Sequence, residues 1–246
     1  MNARDFFVAA LIGCCTVAYA EKQCTGDNRS HFIVLLDLSE PLDQPSNIAY
    51  KTLAKKIVAA LPSEAKLSVY TIKPNAEDVN KNPDFGACVP NFNSMKGERF
   101  KARSQAKFED YVLPQLEKLG ESISPAKRSP ILENIFKITH ANFLRTSSGQ
   151  NHTLVVISDL VQYSEIADFY HDIPDYNRLS LTGRFASWIP KANEVKLHLV
   201  LLNSPSARTV DQKKLREFWL AYSKSNYKQC GFSGLNQIAS EYKNEC

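Results

Sequence analysis

The stretch His31–Leu38, with the sequence HFIVLLDL, is an apolar run that includes an acid near its end. An uninterrupted apolar run of this length is typical of a strand that is buried on both faces of a parallel sheet. The run HTLVVISDL at 152–160 repeats the pattern, again with an acid near its end. Two further runs, LSVYTI at 67–72 and VKLHLVLL at 195–202, complete a set of four predicted strands.

Segments with helical spacing separate or follow these strands. Apolar residues recur every three or four positions in 46–61, 101–119, 131–144 and 211–225, which predicts four amphipathic helices. The region 74–97, which is rich in Asn, Pro and Asp, is expected to be a long surface excursion. Strands that alternate with helices predict a single α/β domain with a doubly wound, mostly parallel sheet and helices on both faces.

The composition is that of a globular protein. The chain has 246 residues, of which 43% are apolar and 23% are charged, and this length is enough to bury one full-sized core. The net charge of +4 is too small to indicate a nucleic-acid partner. A modest positive balance favours solubility and weak attraction to acidic surfaces.

The first twenty residues are typical of an export signal. A short polar start precedes the apolar core FFVAALIGCCTV, and Ala18-Tyr19-Ala20 fits the small-x-small cleavage pattern. We therefore expect a signal peptide at 1–20 and a mature periplasmic or secreted domain at 21–246. Two alternatives remain: LIGC at 11–14 resembles a lipobox, which would anchor a lipoprotein to the membrane at Cys14, and the segment could be a buried helix of a cytoplasmic protein.

The cysteine count agrees with export. Four cysteines follow residue 20, namely Cys24, Cys88, Cys230 and Cys246. An even number in an exported chain predicts two disulfides, with three possible connectivities. Because chain termini often lie close together in compact domains, we expect Cys24 to pair with Cys230 or Cys246, and Cys88 to pair with the remaining cysteine.

Acids and hydroxyls gather where the predicted strands end. Asp37 and Ser39 follow the first strand, Asp159 follows the third, and Ser129 lies just before a helix. Ligands of open parallel sheets bind beyond the carboxyl ends of the strands. Two carboxylates and two hydroxyls form an all-oxygen set, which suits Mg²⁺, Ca²⁺ or Mn²⁺. The alternative interpretation is that both acids satisfy backbone N–H groups, with no metal bound.

Three motifs resemble those of the von Willebrand factor A domains. The sequence DLSEP at 37–41 resembles their DxSxS motif, SPIL at 129–132 resembles their Thr-Pro-Leu stretch, and ISDL at 157–160 resembles their Thr-Asp-Gly. The resemblance implies a metal-ion-dependent adhesion site built from Asp37, Ser39, Ser129 and Asp159. It also implies that a carboxylate of a protein partner completes the coordination of the cation.

The chain departs from the family pattern at two positions. Pro41 replaces the second serine and removes one direct oxygen ligand, and Leu160 stands where glycine is usual. The expected site is therefore degenerate, with weak or absent metal binding as an open alternative.

The function that the sequence favours is protein–protein recognition, without catalysis, with an envelope or secretion assembly as one expected setting. A metal-dependent phosphoester hydrolase and a structural envelope protein with a vestigial site are the alternatives. The chain has no GxSxG, GxxxxGK[ST] or HExxH motif that would supply a nucleophile, a phosphate loop or a zinc site.

Two other features carry open interpretations. The basic run KGERFKARSQAK at 96–107 is either a solvated helix face or a surface for an acidic partner or lipid head groups. His152 and His198 lie within strand patterns, where the sequence favours buried core histidines.

Overall fold

The computed structural model describes residue 24 and residues 30–39, 44–79, 82–122, 126–143 and 152–234. The predicted signal peptide at 1–20 and Cys246 lie outside these ranges. Within them, no helix combines the length and the apolar character that a membrane span requires.

Six strands form one sheet in the order β3-β2-β1-β4-β5-β6. The strands are β1 (His31–Leu36), β2 (Lys66–Thr71), β3 (Phe85–Cys88), β4 (His152–Ser158), β5 (Ala192–Leu201) and β6 (Tyr227–Gly234). All neighbouring strands are parallel except β2 and β3. The predicted doubly wound, mostly parallel sheet is therefore confirmed.

Helices connect the strands. They are α1 (Gln44–Ala60), α2 (Glu98–Glu121), α3 (Ile131–Asn142), α4 (Tyr176–Ser180), α5 (Gly183–Ala186) and α6 (Gln212–Asn226), with short 3₁₀ turns at Ala76–Asp78, Phe92–Ser94 and Ser206–Thr209. Four of the six coincide with the predicted helices to within three residues at each end.

Burial on both faces of the sheet explains why the strands are apolar without interruption. In β1, Ile33 and Leu35 face a core that is shared with α3 and α6. The alternate residues Phe32, Val34 and Leu36 face a second core, which is shared with α1 and α2. A residue period of two sends successive side chains to opposite faces. Both faces therefore demand apolar residues, and helices cover each of them as predicted.

Aromatic residues of α6 belong to the core that α3 and α6 share with one face of the sheet. Phe218, Trp219 and Tyr222 are fully or almost fully buried, and the Trp219 ring meets the Tyr222 ring edge-to-face at 5.4 Å. The amphipathic helix that the apolar spacing in 211–225 predicts is thus confirmed. His152 and His198 are buried too, with 2% and 7% of their surface exposed.

Two strands lie where the sequence predicts none. The strand β3 lies inside the expected surface excursion at 74–97, and β6 follows α6 directly. Their sequences, FGAC and YKQCGFSG, contain glycine and no apolar run, so their strand conformation depends on pairing with β2 and β5.

One apolar residue of the predicted helix at 46–61 lies outside the core. Ile48 is 62% exposed, whereas Leu53 and Ile57 of the same helix are buried. Ile48 precedes Leu53 by five residues, which places the two side chains about 140° apart around the helix.

The predicted pairing of Cys24 with Cys230 or Cys246 is wrong. Cys24 is bonded to Cys88, with 5.7 Å between their Cα atoms. Cys88 ends β3, which is antiparallel to β2, so Cys88 lies beside Lys66 at the edge where β1 begins. Cys230 lies in β6, three strands away from β1. It is disulfide-bonded as well, and its partner lies outside the described residues.

Candidate functional site

The loops that follow β1 and β4 meet at the switch point of the sheet. The connection from β1 leads to β2 on one side, whereas β4 lies on the other side of β1. Ligands of doubly wound folds bind in the crevice at such a point. The backbone pairing of the two strands continues past β1, because Asp37 N donates to Ile157 O at 2.8 Å. Asp37 is therefore held next to Ser158, the last residue of β4.

Asp37 is the centre of a polar cluster. Its side chain is buried, with only 4% of the residue exposed. The Oδ2 atom accepts hydrogen bonds from Ser129 Oγ at 2.9 Å and from Ser158 Oγ at 2.8 Å. The Oδ1 atom accepts a hydrogen bond from the backbone N–H of Ser39 at 3.1 Å. Three segments that are distant in the sequence thus place polar groups around one carboxylate.

Ser129 is held in place by the chain on either side of it. Its backbone forms an isolated antiparallel bridge with Tyr163, through N–H···O bonds of 3.1 and 2.9 Å. Pro130 follows as the N-cap of α3. The loop of Ser39 is linked to the same region, because Ala126 N donates to Ser39 O at 3.4 Å.

Asp159 lies beside the cluster, and its carboxylate has local partners. Oδ1 accepts a hydrogen bond from Val161 N at 2.9 Å, and Oδ2 accepts one from Ser204 Oγ at 2.8 Å. Leu160 has a positive φ of 61° and is fully buried. Its carbonyl oxygen accepts a hydrogen bond from Trp219 Nε1 at 2.9 Å, so the core anchors this turn.

Four polar residues around the site were not predicted from the sequence. Ser158 touches Asp37 directly, and Ser204 binds Asp159 from the loop after β5. Gln162 accepts a hydrogen bond from the backbone of Leu132 at the start of α3 and donates one to Glu133 at 2.8 Å. A polar residue at the end of an apolar strand was an available signal for Ser158. The other three depend on contacts that are distant in the sequence.

The oxygen atoms at the site have the chemistry that a hard cation requires. No three His, Cys, Asp or Glu side chains within the described ranges form a group that could hold a metal. The site around Asp37 is of another kind, because hydroxyl oxygens accompany the carboxylate. Oxygen-only sets of this composition suit Mg²⁺, Mn²⁺ or Ca²⁺. To bind a cation, the hydroxyls of Ser129 and Ser158 must turn their hydrogens away from Asp37 and present lone pairs.

The surface beside Ser129 combines aromatic rings with charge. Tyr163 and Tyr170 meet edge-to-face at 5.7 Å and are 39% and 45% exposed. A cavity of about 220 Å³ is lined by Arg128, Arg184 and Pro130, the residue after Ser129. Both arginines contact Glu165, at 3.7 and 2.8 Å.

The chain is similar to many solved structures, two of which are described here. It shares 16% identity with the SpRpn10 VWA domain over 84% of this chain and 87% of that one, with a TM-score of 0.39. It shares 15% identity with the adhesive tip pilin GBS104 from Group B Streptococcus agalactiae over 66% of this chain and 55% of that one, with a TM-score of 0.27. No protein-family model and no curated protein sequence matches the chain. Both structural similarities concern the fold alone.

Proposed function

We propose that this protein is a recognition module that binds a protein partner at the carboxyl edge of its sheet, through a divalent cation. Asp37, Ser39 and Ser129 would hold the cation directly, and Asp159 would act through an intervening water molecule. The observation that carries the proposal is the convergence of the Ser129 and Ser158 hydroxyls on one oxygen of Asp37. A buried carboxylate is costly unless donors or a cation satisfy it.

The surroundings of the cluster support recognition of a protein surface. Tyr and Arg are enriched among the residues that contribute most to binding in protein interfaces. Tyr163 and Tyr170 present such rings close to the site, and Arg128 lies next to Ser129 in the sequence. A carboxylate from the partner would complete the coordination of the cation. Other acids of the partner would pair with Arg128 and Arg184 at the border of the interface.

Calorimetric titration of the protein with Mg²⁺, Mn²⁺ and Ca²⁺ tests the metal site. We expect binding to the wild-type protein and its loss in Asp37→Asn, which keeps the size of the side chain and part of its hydrogen bonding. Asp110→Ala, which removes an exposed acid from α2, is the matched control and is expected to bind as the wild type does. Identical titrations for Asp37→Asn and the wild type would remove the cation from the proposal.

A gain of affinity provides a second test of the same site. Pro41→Ser restores the hydroxyl that the resembling family has at this position, and each additional direct oxygen ligand strengthens the hold on a hard cation. We therefore expect Pro41→Ser to bind Mg²⁺ more tightly than the wild type. An unchanged or weaker affinity would argue against the alignment of 37–41 with the DxSxS motif.

The partner and the reaction class are tested with the same variants. We expect a partner retained by the immobilised wild-type protein to be released by a chelator and to be absent from Asp37→Asn. Turnover of p-nitrophenyl phosphate that requires both Mn²⁺ and Asp37 would instead favour the hydrolase, which is the alternative function.

We also propose that the protein works outside the cytoplasm, in the periplasm or the medium. The support is the signal-like sequence at 1–20 together with the bond between Cys24 and Cys88, because disulfides persist in oxidising compartments. Mass spectrometry of the exported protein is expected to find an N-terminus at Glu21, or a lipid-modified Cys14 if the lipobox is used. An intact Met1 with reduced Cys24 and Cys88 would contradict export.

A further inference from the structure

The first turns of α2 carry a surface that the proposed function does not use. A shallow groove of about 550 Å³ is lined there by Met95, Lys96, Phe100, Arg103, Ser104 and Lys107. The Phe100 ring is 69% exposed, although a large apolar side chain gains free energy from burial. We name these six residues the basic-aromatic patch. An exposed ring between cations is the composition of helices that lie on membrane surfaces.

The charges of this segment disfavour the helix that carries them. Residues 96–107 contain five Lys and Arg side chains and a single acid, Glu98. Arg103 is four residues from both Arg99 and Lys107, and like charges at this spacing repel each other on a helix. Cations near a helix N-terminus also oppose the helix dipole. No ion pair to a carboxylate relieves any of the five within the part of the chain that the structure describes. An external anionic surface would relieve them.

The patch follows closely in the sequence on the edge of the sheet where Cys24 is bonded to Cys88. Cys24 is bonded to Cys88 at the edge where β1 and β2 begin, and Lys96 follows Cys88 by eight residues. Lys66, which lies opposite Cys88 in the sheet, adds an exposed cation to this edge. The patch therefore lies towards the edge where β1 and β2 begin, whereas Asp37 lies at the opposite edge.

We propose that the basic-aromatic patch binds a membrane surface rich in anionic lipid head groups. Lys96, Arg103 and Lys107 contact the head groups, and the Phe100 ring enters the interface between them. In this orientation the edge of the sheet where β1 and β2 begin faces the membrane. The Asp37 cluster, at the opposite edge, faces away from the membrane and remains accessible to a partner. The lipid surface is favoured over an acidic protein segment because the patch combines uncompensated cations with an exposed aromatic ring, and the boundary between anionic head groups and acyl chains accommodates both.

Vesicle sedimentation tests the proposal. The probe is vesicles of one part phosphatidylglycerol to two parts phosphatidylcholine, compared with pure phosphatidylcholine vesicles. The chain is used from Glu21 onward, because every helix and strand described above lies after this position. We expect sedimentation only with the anionic vesicles and its loss in concentrated salt. Arg103→Glu/Lys107→Glu is expected to lower the partition coefficient at least about tenfold, and Phe100→Ser about tenfold.

A matched control separates the patch from net charge. Lys213→Glu/Lys214→Glu changes the total charge by the same amount, but it acts on exposed side chains at the start of α6, at the other edge of the sheet. This variant is expected to sediment as the wild type does. Equal losses in the two double variants would reduce the binding to an effect of overall charge and overturn the proposal.

Fluorescence of Phe100→Trp reports whether the ring itself reaches the interface. We expect a blue shift of emission upon addition of the anionic vesicles, relative to the wild type with its two tryptophans. Absence of the shift would contradict insertion of this ring. Binding to polyglutamate with no binding to either vesicle would assign the patch to an acidic protein partner and overturn the lipid proposal. Neither result depends on Asp37, so the proposed function is tested separately.

Discussion

Acidification from about pH 7.5 to about pH 4.5 is expected to lower the free energy of unfolding by about 5 kcal/mol, because two buried histidines resist protonation in the folded state. Burial, with smaller contributions from Lys66 and His152, lowers the pKa of His31 to about 3. Burial alone lowers the pKa of His198 to about 4. A loss of this size is comparable to the whole stability of many domains. Urea unfolding followed by circular dichroism across this pH range measures it.

The direction of the effect follows from which state binds the protons. Below the ordinary histidine pKa of 6.5, His31 and His198 take up protons in the unfolded chain, whereas the folded chain excludes them until about pH 4 and below. Stability is therefore complete above about pH 7 and falls by about 1.4 kcal/mol per pH unit for each residue as the pH decreases. Burial lowers the pKa of His152 as well, which adds to the loss.

The surroundings of the histidines explain why the charged forms are excluded. His31 Nε2 lies 2.9 Å from Ser68 Oγ, and the His152 ring packs against Phe143 with 5.0 Å between centroids. His198 Nε2 lies 2.9 Å from Ser233 Oγ. These neighbours offer hydroxyls and aromatic carbon, and no carboxylate among them compensates a positive charge.

Substitutions isolate the buried residues from other titrating groups. His31→Gln/His198→Gln is expected to remove most of the pH dependence between about pH 6 and about pH 4.5. His140→Gln/His171→Gln, which alters two exposed histidines, is the control for the loss of imidazole side chains in general. An equal slope for the first variant and the wild type would mean that other groups cause the acid sensitivity.

Removal of the Cys24–Cys88 bond is expected to lower the free energy of unfolding by about 4 kcal/mol. The bond closes a loop with a sequence separation of 64 residues, and a loop of this length greatly restricts the unfolded chain. It also ties the segment before β1 to the antiparallel edge strand β3. Urea unfolding of Cys24→Ala/Cys88→Ala beside the wild type measures the difference.

Reduction of the wild-type protein provides the control for this variant. A reducing agent is expected to bring the wild type to at least the stability loss of Cys24→Ala/Cys88→Ala, because the bond of Cys230 is reduced as well. The double variant should lose further stability on reduction for the same reason. If the urea midpoint of Cys24→Ala/Cys88→Ala equals that of the oxidised wild type, the bond between Cys24 and Cys88 does not contribute to stability.

Much of the candidate site was readable from the chain. Asp37 and Ser129 are 92 residues apart in the sequence, and their side chains form a 2.9 Å hydrogen bond. Their positions, after the first strand and just before a helix, predicted that they lie close together. The rule behind this success is topological, since the carboxyl ends of parallel strands meet at one edge. The direction of the Asp159 carboxylate was not readable, because it depends on Ser204 from another loop.

The errors have a shared physical origin. The strand β6 has no apolar run and forms by pairing with β5. The pairing of Cys24 with Cys88 became possible because a short antiparallel strand returns the chain to the edge where β1 begins. A local sequence pattern does not encode which strand a segment without an apolar run pairs with, or whether the two strands are parallel or antiparallel.

By itself, the sequence determined the α/β class, the four central strands, the two-sided burial and the gathering of Asp37, Ser39 and Ser129 at one edge. These features follow from local periodicity and from the place of acids at strand ends, which act over a few residues. Only the tertiary structure decided the edge strands, the disulfide partner of Cys24 and the role of Ser158 beside Asp37. Each of these depends on which distant segments become neighbours, and packing of the whole chain selects those neighbours.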